Sequence, residues 1–298
     1  EAKKTFIVAT NAIKDLMNDA RAGKELKPEN AQETAENIIS AIDRNPQAMN
    51  AATRIKTRDE YTFQHSVGVT TLLTGFAKKS NFSLAELEEI AIGGIMHDIG
   101  KINVPDSILN KPDKLNDEEF VIMKKHVTYS REILEEHNNF TQIETDIALL
   151  HHERPDGKGY PLGLKGDEIS KIGYMGAIVD VYDALSTKRV YKEAWEPSVA
   201  LKNMVKWGPG QFHQEHLQWF IKYLGVYPVG TWVKLESDLV GFILSQTENL
   251  LEPIVQIKLN TRTKRLMNET YDLRQRHDDR IKEVVSPTSF GLDDDFII

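Results

Sequence analysis

SLAELEEIAIGGIMHDIGK, residues 83–101, is an apolar run with a polar signature at each end. Ser83 followed by Glu86 has the form of a capping box and predicts a helix start. The apolar residues carry that helix to about His97. His97 and Asp98 are neighbours, about 100° apart around a helix. Both reach one point only at the helix end, where Gly100 relaxes the backbone. Lys101 follows His97 by four residues and shares its side while the helical turn persists. An imidazole, a carboxylate and an ammonium at one buried helix end are costly unless a ligand or metal compensates them. The plainer alternative is an Asp98–Lys101 ion pair with His97 as filler.

Working outward, residues 56–225 read as mainly helical. Val67–Phe76 is one apolar stretch, and Asn116 or Asp117 caps a helix running through Phe120, Met123 and Val127. Thr141–Leu150 is a further helix, residues 152–168 are a loop rich in Gly and Pro, and Ile172–Leu185 is a helix of small and apolar residues that predicts burial. Upstream, Ile7, Ile13, Leu16 and Met17, then Ile38, Ile39 and Ile42, fall near helical spacing, with Pro28 opening the second helix. From Val226 the pattern changes. Thr231–Leu235, Val240–Leu244 and Ile254–Leu259 are short β-type runs, Asp238 and Gly241 supply turn chemistry, and a barrel-like appendage is expected. The tail after Val285, with Pro287, Gly291 and Asp293–Asp295, reads as poorly ordered. The expected organisation is a mainly α protein: an N-terminal helical segment (1–55), a helical catalytic domain (56–225) and a small β-rich extension (226–298).

The chain has 298 residues, no cysteine and a net charge of -8. Without thiolates, any metal must be held by His, Asp, Glu or solvent. The negative charge argues against a nucleic-acid polymer as partner, although local cations can still reverse the field within a pocket. No signal peptide is visible, and no apolar run approaches the ~18 residues that cross a bilayer. A cytoplasmic protein with no membrane partner is the expectation.

Two further groups carry chemistry. His151 and His152 end the Thr141–Leu150 helix and run into Glu153, Arg154, Asp156 and the loop Gly159-Tyr160-Pro161. Adjacent histidines there can face one metal, and glycines let the loop approach a substrate. The alternative is a solvated helix end. Asp180 and Asp183 are three apart on one helix face and interrupt an apolar segment, so they need a cation. Lys188 or Arg189 could supply it instead of a metal.

The run His97-Asp98-Ile99-Gly100-Lys101, then His151-His152-Glu153 and Gly159-Tyr160-Pro161, with His65 upstream and His126 between, resembles the HD-GYP family of bacterial phosphohydrolases over roughly residues 56–225. The resemblance implies an HD-type helical bundle around a metal cluster. It implies one metal on His65, His97, Asp98 and Asp180, a second on His126, His151 and His152, and Asp98 bridging them. Iron is favoured, with Mn, Ni and Zn as alternatives. The implied activity is hydrolysis of cyclic di-GMP to linear pGpG, the product at which two-metal members of the family tend to stop, whereas further hydrolysis yields GMP. Some members bind a third metal through a Glu one turn before the first His. Here that position is Tyr61, with Glu60 about 100° away around the helix, which implies a two-metal site. On this reading Lys101 stabilises the phosphate or leaving group, and Asp183 orients the attacking water and takes its proton. Tyr160 and Gly159 contact substrate, and Lys188, Arg189 and Lys192 bind the remaining phosphate, as Arg154 and Lys158 could also do. The competing readings are a receptor that binds a cyclic dinucleotide without turnover, a hydrolase of another cyclic dinucleotide, and a scaffold. The N-terminal helices are candidates for a homodimer or regulatory-domain contact.

Overall fold

Short sequence signals set most helix limits. The structure is a computed structural model that describes residues 1–24, 26, 28–54, 60–136, 140–187, 194–276 and 278–292. Its helices in chain order are α1 (Ala2–Arg21), α2 (Pro28–Arg44), α3 (Pro46–Ala52), α4 (Tyr61–Lys79), α5 (Leu84–Met96), α6 (Asp106–Leu109), α7 (Asp117–Glu136), α8 (Gln142–Leu150), α9 (Lys171–Ser186), α10 (Pro197–Trp207) and α11 (Gln214–Leu224). Five strands follow: β1 (Trp232–Leu235), β2 (Leu239–Ser245), β3 (Ile254–Asn260), β4 (Arg265–Asp272) and β5 (Ile281–Val284). The protein is therefore mainly α with a small antiparallel sheet. Among the described residues, no helix is long and apolar enough to cross a membrane.

The Ser83–Glu86 capping box is present at α5, and Thr141–Glu144 repeats it at α8. Asn116 rather than Asp117 caps α7, its Oδ1 accepting from the Glu119 N–H at 2.8 Å while the Glu119 carboxylate takes the Asn116 N–H. In α1 the buried residues are Phe6, Ala9, Thr10, Ile13, Leu16 and Met17. Ile7, expected on that face, is 49% exposed. Phe6 is buried there instead, while Ile13, Leu16 and Met17 keep the expected face.

The chain forms two units. The first comprises Glu1–Trp195 and Met204–Phe220; the second comprises Glu196–Asn203 and the chain from Ile221 onward. In the first, α4 and α5 pack together, α8 lies on α5 and α9, and α1 contacts α4 and the 3-10 turn Ile99–Asn103. That turn also packs on α7. It does so closely enough that a Cβ on Gly100 would stand 2.0 Å from the His126 carbonyl oxygen and 2.3 Å from the Ser130 N. Ser130 Oγ accepts from the Gly100 N–H at 2.9 Å and donates to the His97 carbonyl at 3.1 Å. The loop after α8 is held by Glu153, 1% exposed, whose carboxylate accepts the N–H groups of Leu162, Gly163 and Leu164 at 2.7, 3.1 and 3.0 Å.

In the second unit the sheet order is β4-β3-β2-β1-β5, every pair antiparallel. β4 and β5 are left as edges, so the sheet is open and the barrel-like expectation is corrected. Strands β4 and β5 carry little period-2 alternation and were not expected. β4 is largely exposed, with Leu266 at 71%, and only Met267 and Tyr271 pack on the sheet core. Asp238 does form a turn, at φ 64°. Gly241 instead lies within β2 at a register shift, where a Cβ would meet the Gln256 carbonyl at 2.2 Å. The tail expectation is corrected as far as Leu292, because Pro287 is buried and Phe290 and Leu292 pack against Trp232, Val240, Phe242 and Leu259.

Two substitutions test this scaffold. Gly100→Ala should drive the 3-10 turn off α7 at a cost on the order of 3 kcal/mol, read as a fall in the urea midpoint. Glu153→Ala leaves three backbone donors without their carboxylate and should cost about 3 kcal/mol. Glu153→Gln should recover part of that loss in the same measurement.

Candidate metal centre

Five helices deliver seven side chains to one place: His65 from α4, His97 and Asp98 from the end of α5, His126 from α7, His151 and His152 from the end of α8, and Asp180 from α9. Six of the seven are between 0% and 6% exposed. His152 is the outer one, with a side chain 23% exposed. The ligand atoms of His65, His97 and Asp98 all lie within 4.8 Å of one another, and so do those of His126, His151 and His152.

Asp98 joins the two groups. Its Oδ1 is 3.3 Å from His126 Nε2 and 3.9 Å from His151 Nε2. Its Oδ2 is 3.3 Å from His97 Nε2 and 3.9 Å from His65 Nε2, and Lys101 Nζ bonds to the same oxygen. The ion pair offered as the plain alternative is therefore present, but it sits inside a larger cluster. Asp180 spans the groups too, with Oδ1 2.9 Å from His65 Nε2 and Oδ2 3.8 Å from His152 Nδ1.

The backbone fixes the imidazole tautomers. His97 Nδ1 donates to the Gly94 carbonyl at 2.7 Å, His126 Nδ1 to Met123 at 2.7 Å, and His151 Nδ1 to Ile147 at 3.0 Å. Each Nε2 then presents a lone pair inward. Those three Nε2 atoms and Asp98 Oδ1 are buried and make no hydrogen bond. Four orphaned acceptors converging in one buried space are an energetic liability that a cation removes. His65 repeats the logic. Its Nδ1 donates to Asp183 Oδ2 at 2.6 Å, so its Nε2 lone pair faces the Asp180 carboxylate with only a proton or a metal ion able to reconcile them. The donor set fits a divalent metal.

The electrostatics agree. Burial would push Asp98 up, yet the Lys101 ammonium and the flanking imidazoles hold it well below the usual carboxylate range. Asp180 is likewise held down against burial by the His65 hydrogen bond and the imidazoles around it. Burial lowers His126, lowers His151 strongly and lowers His152 to about 3, keeping them neutral. For His97 burial is outweighed by Asp98, which raises it. Burial, with Asp180 and Asp98 nearby, raises the Tyr160 hydroxyl, so it remains a donor.

Tyr160 lies beside His152, ring centroids 4.7 Å apart. Gly159 allows the loop to turn back, since a Cβ there would stand 2.5 Å from Arg154 N. Arg154 is engaged by Asp156 through two hydrogen bonds, at 3.1 and 2.7 Å. Two cavities open at the centre, of about 240 and 500 Å³, and share Phe120, His152 and Tyr160. Tyr61 stacks on His65 at 5.7 Å, while Glu60 is turned to Lys14 of α1 at 3.1 Å. Lys188, Arg189 and Lys192 lie outside the described residues, as do His137 and His277. Sequence reasoning missed Lys124, whose Nζ is 5.1 Å from the Tyr160 ring centroid. The contact joins two segments distant in sequence, so no local pattern signals it.

The profile of the HD domain family matches residues 33–209. The chain is 38% identical over 257 residues to the cyclic di-GMP phosphodiesterase PA4108 of Pseudomonas aeruginosa, covering 86% of this chain and 62% of that protein. It is 41% identical over 147 residues to the 3'3'-cGAMP-specific phosphodiesterase 2 of Vibrio cholerae, covering 49% of this chain and 28% of that one. The chain thus spans less than two thirds of the length of either relative. Among solved structures, Bd1817, an HDGYP protein from Bdellovibrio bacteriovorus, superposes with a TM-score of 0.61 at 19% identity, covering 74% of this chain and 71% of that one, a likeness of fold. With the profile covering more than half of its residues and the His97-Asp98 doublet at the heart of its buried cluster, the chain belongs to the HD domain family.

Proposed function

We propose that this chain is a metal-dependent phosphodiesterase that opens cyclic di-GMP to linear pGpG in bacterial second-messenger signalling, at a centre of two divalent ions. Asp98 carries the proposal: one carboxylate turns its two oxygens to two separate imidazole sets, the donor pattern of a bridging ligand. His65, His97, Asp98 and Asp180 would hold one ion, and His126, His151 and His152, with Asp98, the other. Imidazole and carboxylate donors suit Fe, Mn, Ni or Zn, and iron is our first choice. The engagement of Glu60 by Lys14 and the presence of Tyr61 beside His65 support two ions rather than three. Similarity to a cyclic di-GMP phosphodiesterase supports the substrate. A substrate of this kind supports a cytoplasmic location for the enzyme.

Hydrolysis adds a water oxygen to phosphorus, breaks one ester bond and leaves the water's proton on the departing ribose oxygen. Divalent ions bound at the centre supply Lewis acidity and an acidified water. Lys101, 21% exposed at the edge of the larger cavity, brings positive charge to a phosphate oxygen or to the departing oxygen. Tyr160 offers a protonated hydroxyl to the phosphate and a ring face to a base. Asp183, expected to orient the attacking water and take its proton, has a second part in this proposal. With its Oδ2 on His65 Nδ1 and 1% exposure, it is a positioning residue that fixes the His65 tautomer. Lys188, Arg189 and Lys192 remain proposed contacts to the second phosphate. Similarity to a 3'3'-cGAMP phosphodiesterase favours a mixed cyclic dinucleotide as the second reading.

Anaerobic purification with metal quantification, followed by chromatography of products from cyclic di-GMP, 3'3'-cGAMP and cyclic di-AMP, tests the proposal. Two ions per chain and accumulation of pGpG are expected. A metal-loaded chain that binds cyclic di-GMP without cleaving it would instead be a receptor. Asp98→Ala should drop metal content below one ion per chain, and two retained ions would remove the bridging role. Tyr61→Glu should raise metal content above the wild-type value and let GMP appear; an added ion without GMP would break the link between metal number and product.

A further inference from the structure

The larger cavity is lined on one side by His65, Lys101 and Asp180 and on another by Met17, Asn18 and Arg21 of α1. All of α1 precedes residue 33, where the HD family profile begins. Lys14, Asn18 and Arg21 are spaced i, i+4, i+7 and so lie along one face of α1. The first is tied to Glu60 at 3.1 Å, just ahead of α4, and the other two border the cavity. The same helix buries Met17 at 5% exposure. The cation-bearing end of this face is therefore set by packing and not by a free tail.

Arg21 is held only loosely in that position. Its guanidinium is 3.8 Å from Asp106, with side chains 51% and 72% exposed. An exposed pair of this kind contributes about 0–1 kcal/mol, so a ligand competes with it easily. A phosphodiester of a cyclic dinucleotide seated at the metal centre carries two nucleosides away from it. The smaller cavity, with Tyr160, Lys124 and Phe212, and the larger one, with Asn18 and Arg21, offer a place for each. Guanine presents O6 and N7 as adjacent acceptors, which match the parallel donors of a guanidinium; adenine puts an amino donor where O6 would be.

Resting on the cyclic di-GMP reading, we infer that Arg21 is a specificity-determining residue: its guanidinium, with Asn18 beside it, reads the guanine edge of the nucleoside in the larger cavity. Substrate choice is then supplied in part by a helix outside the family domain.

The test is steady-state kinetics of the full metal-loaded chain and of Arg21→Ala, Arg21→Lys and Asn18→Ala on cyclic di-GMP and cyclic di-AMP, with metal content and melting temperature as controls. Arg21→Ala should raise KM for cyclic di-GMP by about tenfold to a hundredfold, change kcat far less, and lower the preference over cyclic di-AMP by a similar factor. Arg21→Lys should not restore it, because an ammonium lacks the planar fork. Asn18→Ala should shift the same ratio in the same direction by less. An unchanged KM in Arg21→Ala, equal losses on both dinucleotides, full rescue by lysine, or a fall in metal content would each overturn the inference. The wild-type chain separates the two levels. Cleavage of bis(p-nitrophenyl) phosphate with no turnover of any cyclic dinucleotide sinks the functional reading itself, whereas cyclic di-GMP turnover insensitive to Arg21 sinks only this one.

Discussion

A single carboxylate sets the terms for the whole first unit. Asp98 is 1% exposed and has imidazoles on both of its oxygens. Removing an ionised carboxylate from water costs several kcal/mol even after relaxation, and Lys101 reaches only one of its two oxygens. The unbonded Oδ1 and the three unbonded Nε2 atoms around it mean that the polypeptide alone does not satisfy its own interior. A protein core tolerates such a cluster when binding something there repays the strain. The centre is thus built around the ion it would hold.

The surrounding structure is devoted to keeping those donors in place. Three imidazoles are oriented by backbone carbonyls three or four residues earlier on their own helices, so each ring direction follows from helix geometry alone. His65 is oriented by a side chain, Asp183, and so depends on the fit of α4 against α9. The Gly100–Ser130 contact then ties the end of α5 to α7, bringing His97 and Asp98 within reach of His126. Glu153 does the same beside the centre, folding Leu162–Leu164 back under the Tyr160 loop. It sits directly after His151 and His152, so centre and loop share one anchor.

The parts of this site that sequence made legible are those governed by local rules. Capping boxes at Ser83 and Thr141 announce α5 and α8, and the His97-Asp98 and His151-His152 doublets close those same helices. Local rules fail where phase or distance matters. Ile7 and Phe6 are equally apolar, and only packing against the neighbouring helices decides which turns inward. β4 escapes notice because an edge strand that turns only Met267 and Tyr271 to the core shows little alternation. Gly241 looks like a turn residue and is in fact a close-approach position under Gln256. Asp183 shows the same limit in the site: its spacing from Asp180 marks it as important, but its 2.6 Å contact with His65, 118 residues away in the chain, is visible only in the fold.

Helix α1 brings these strands of reasoning together. In sequence it is an ordinary amphipathic segment with no motif. In the structure one face of it holds Glu60 away from the metal centre through Lys14 and, two turns later, places Arg21 on the cavity that Lys101 and Asp180 also border. The two effects are geometrically linked, because both depend on how α1 lies against α4 and the Ile99–Asn103 turn. On the proposed reading, a helix that fixes which carboxylate stays away from the centre and which cation borders the cavity would constrain both metal number and base preference. Divergence in such a segment can therefore alter specificity while every ligand of the HD cluster remains unchanged.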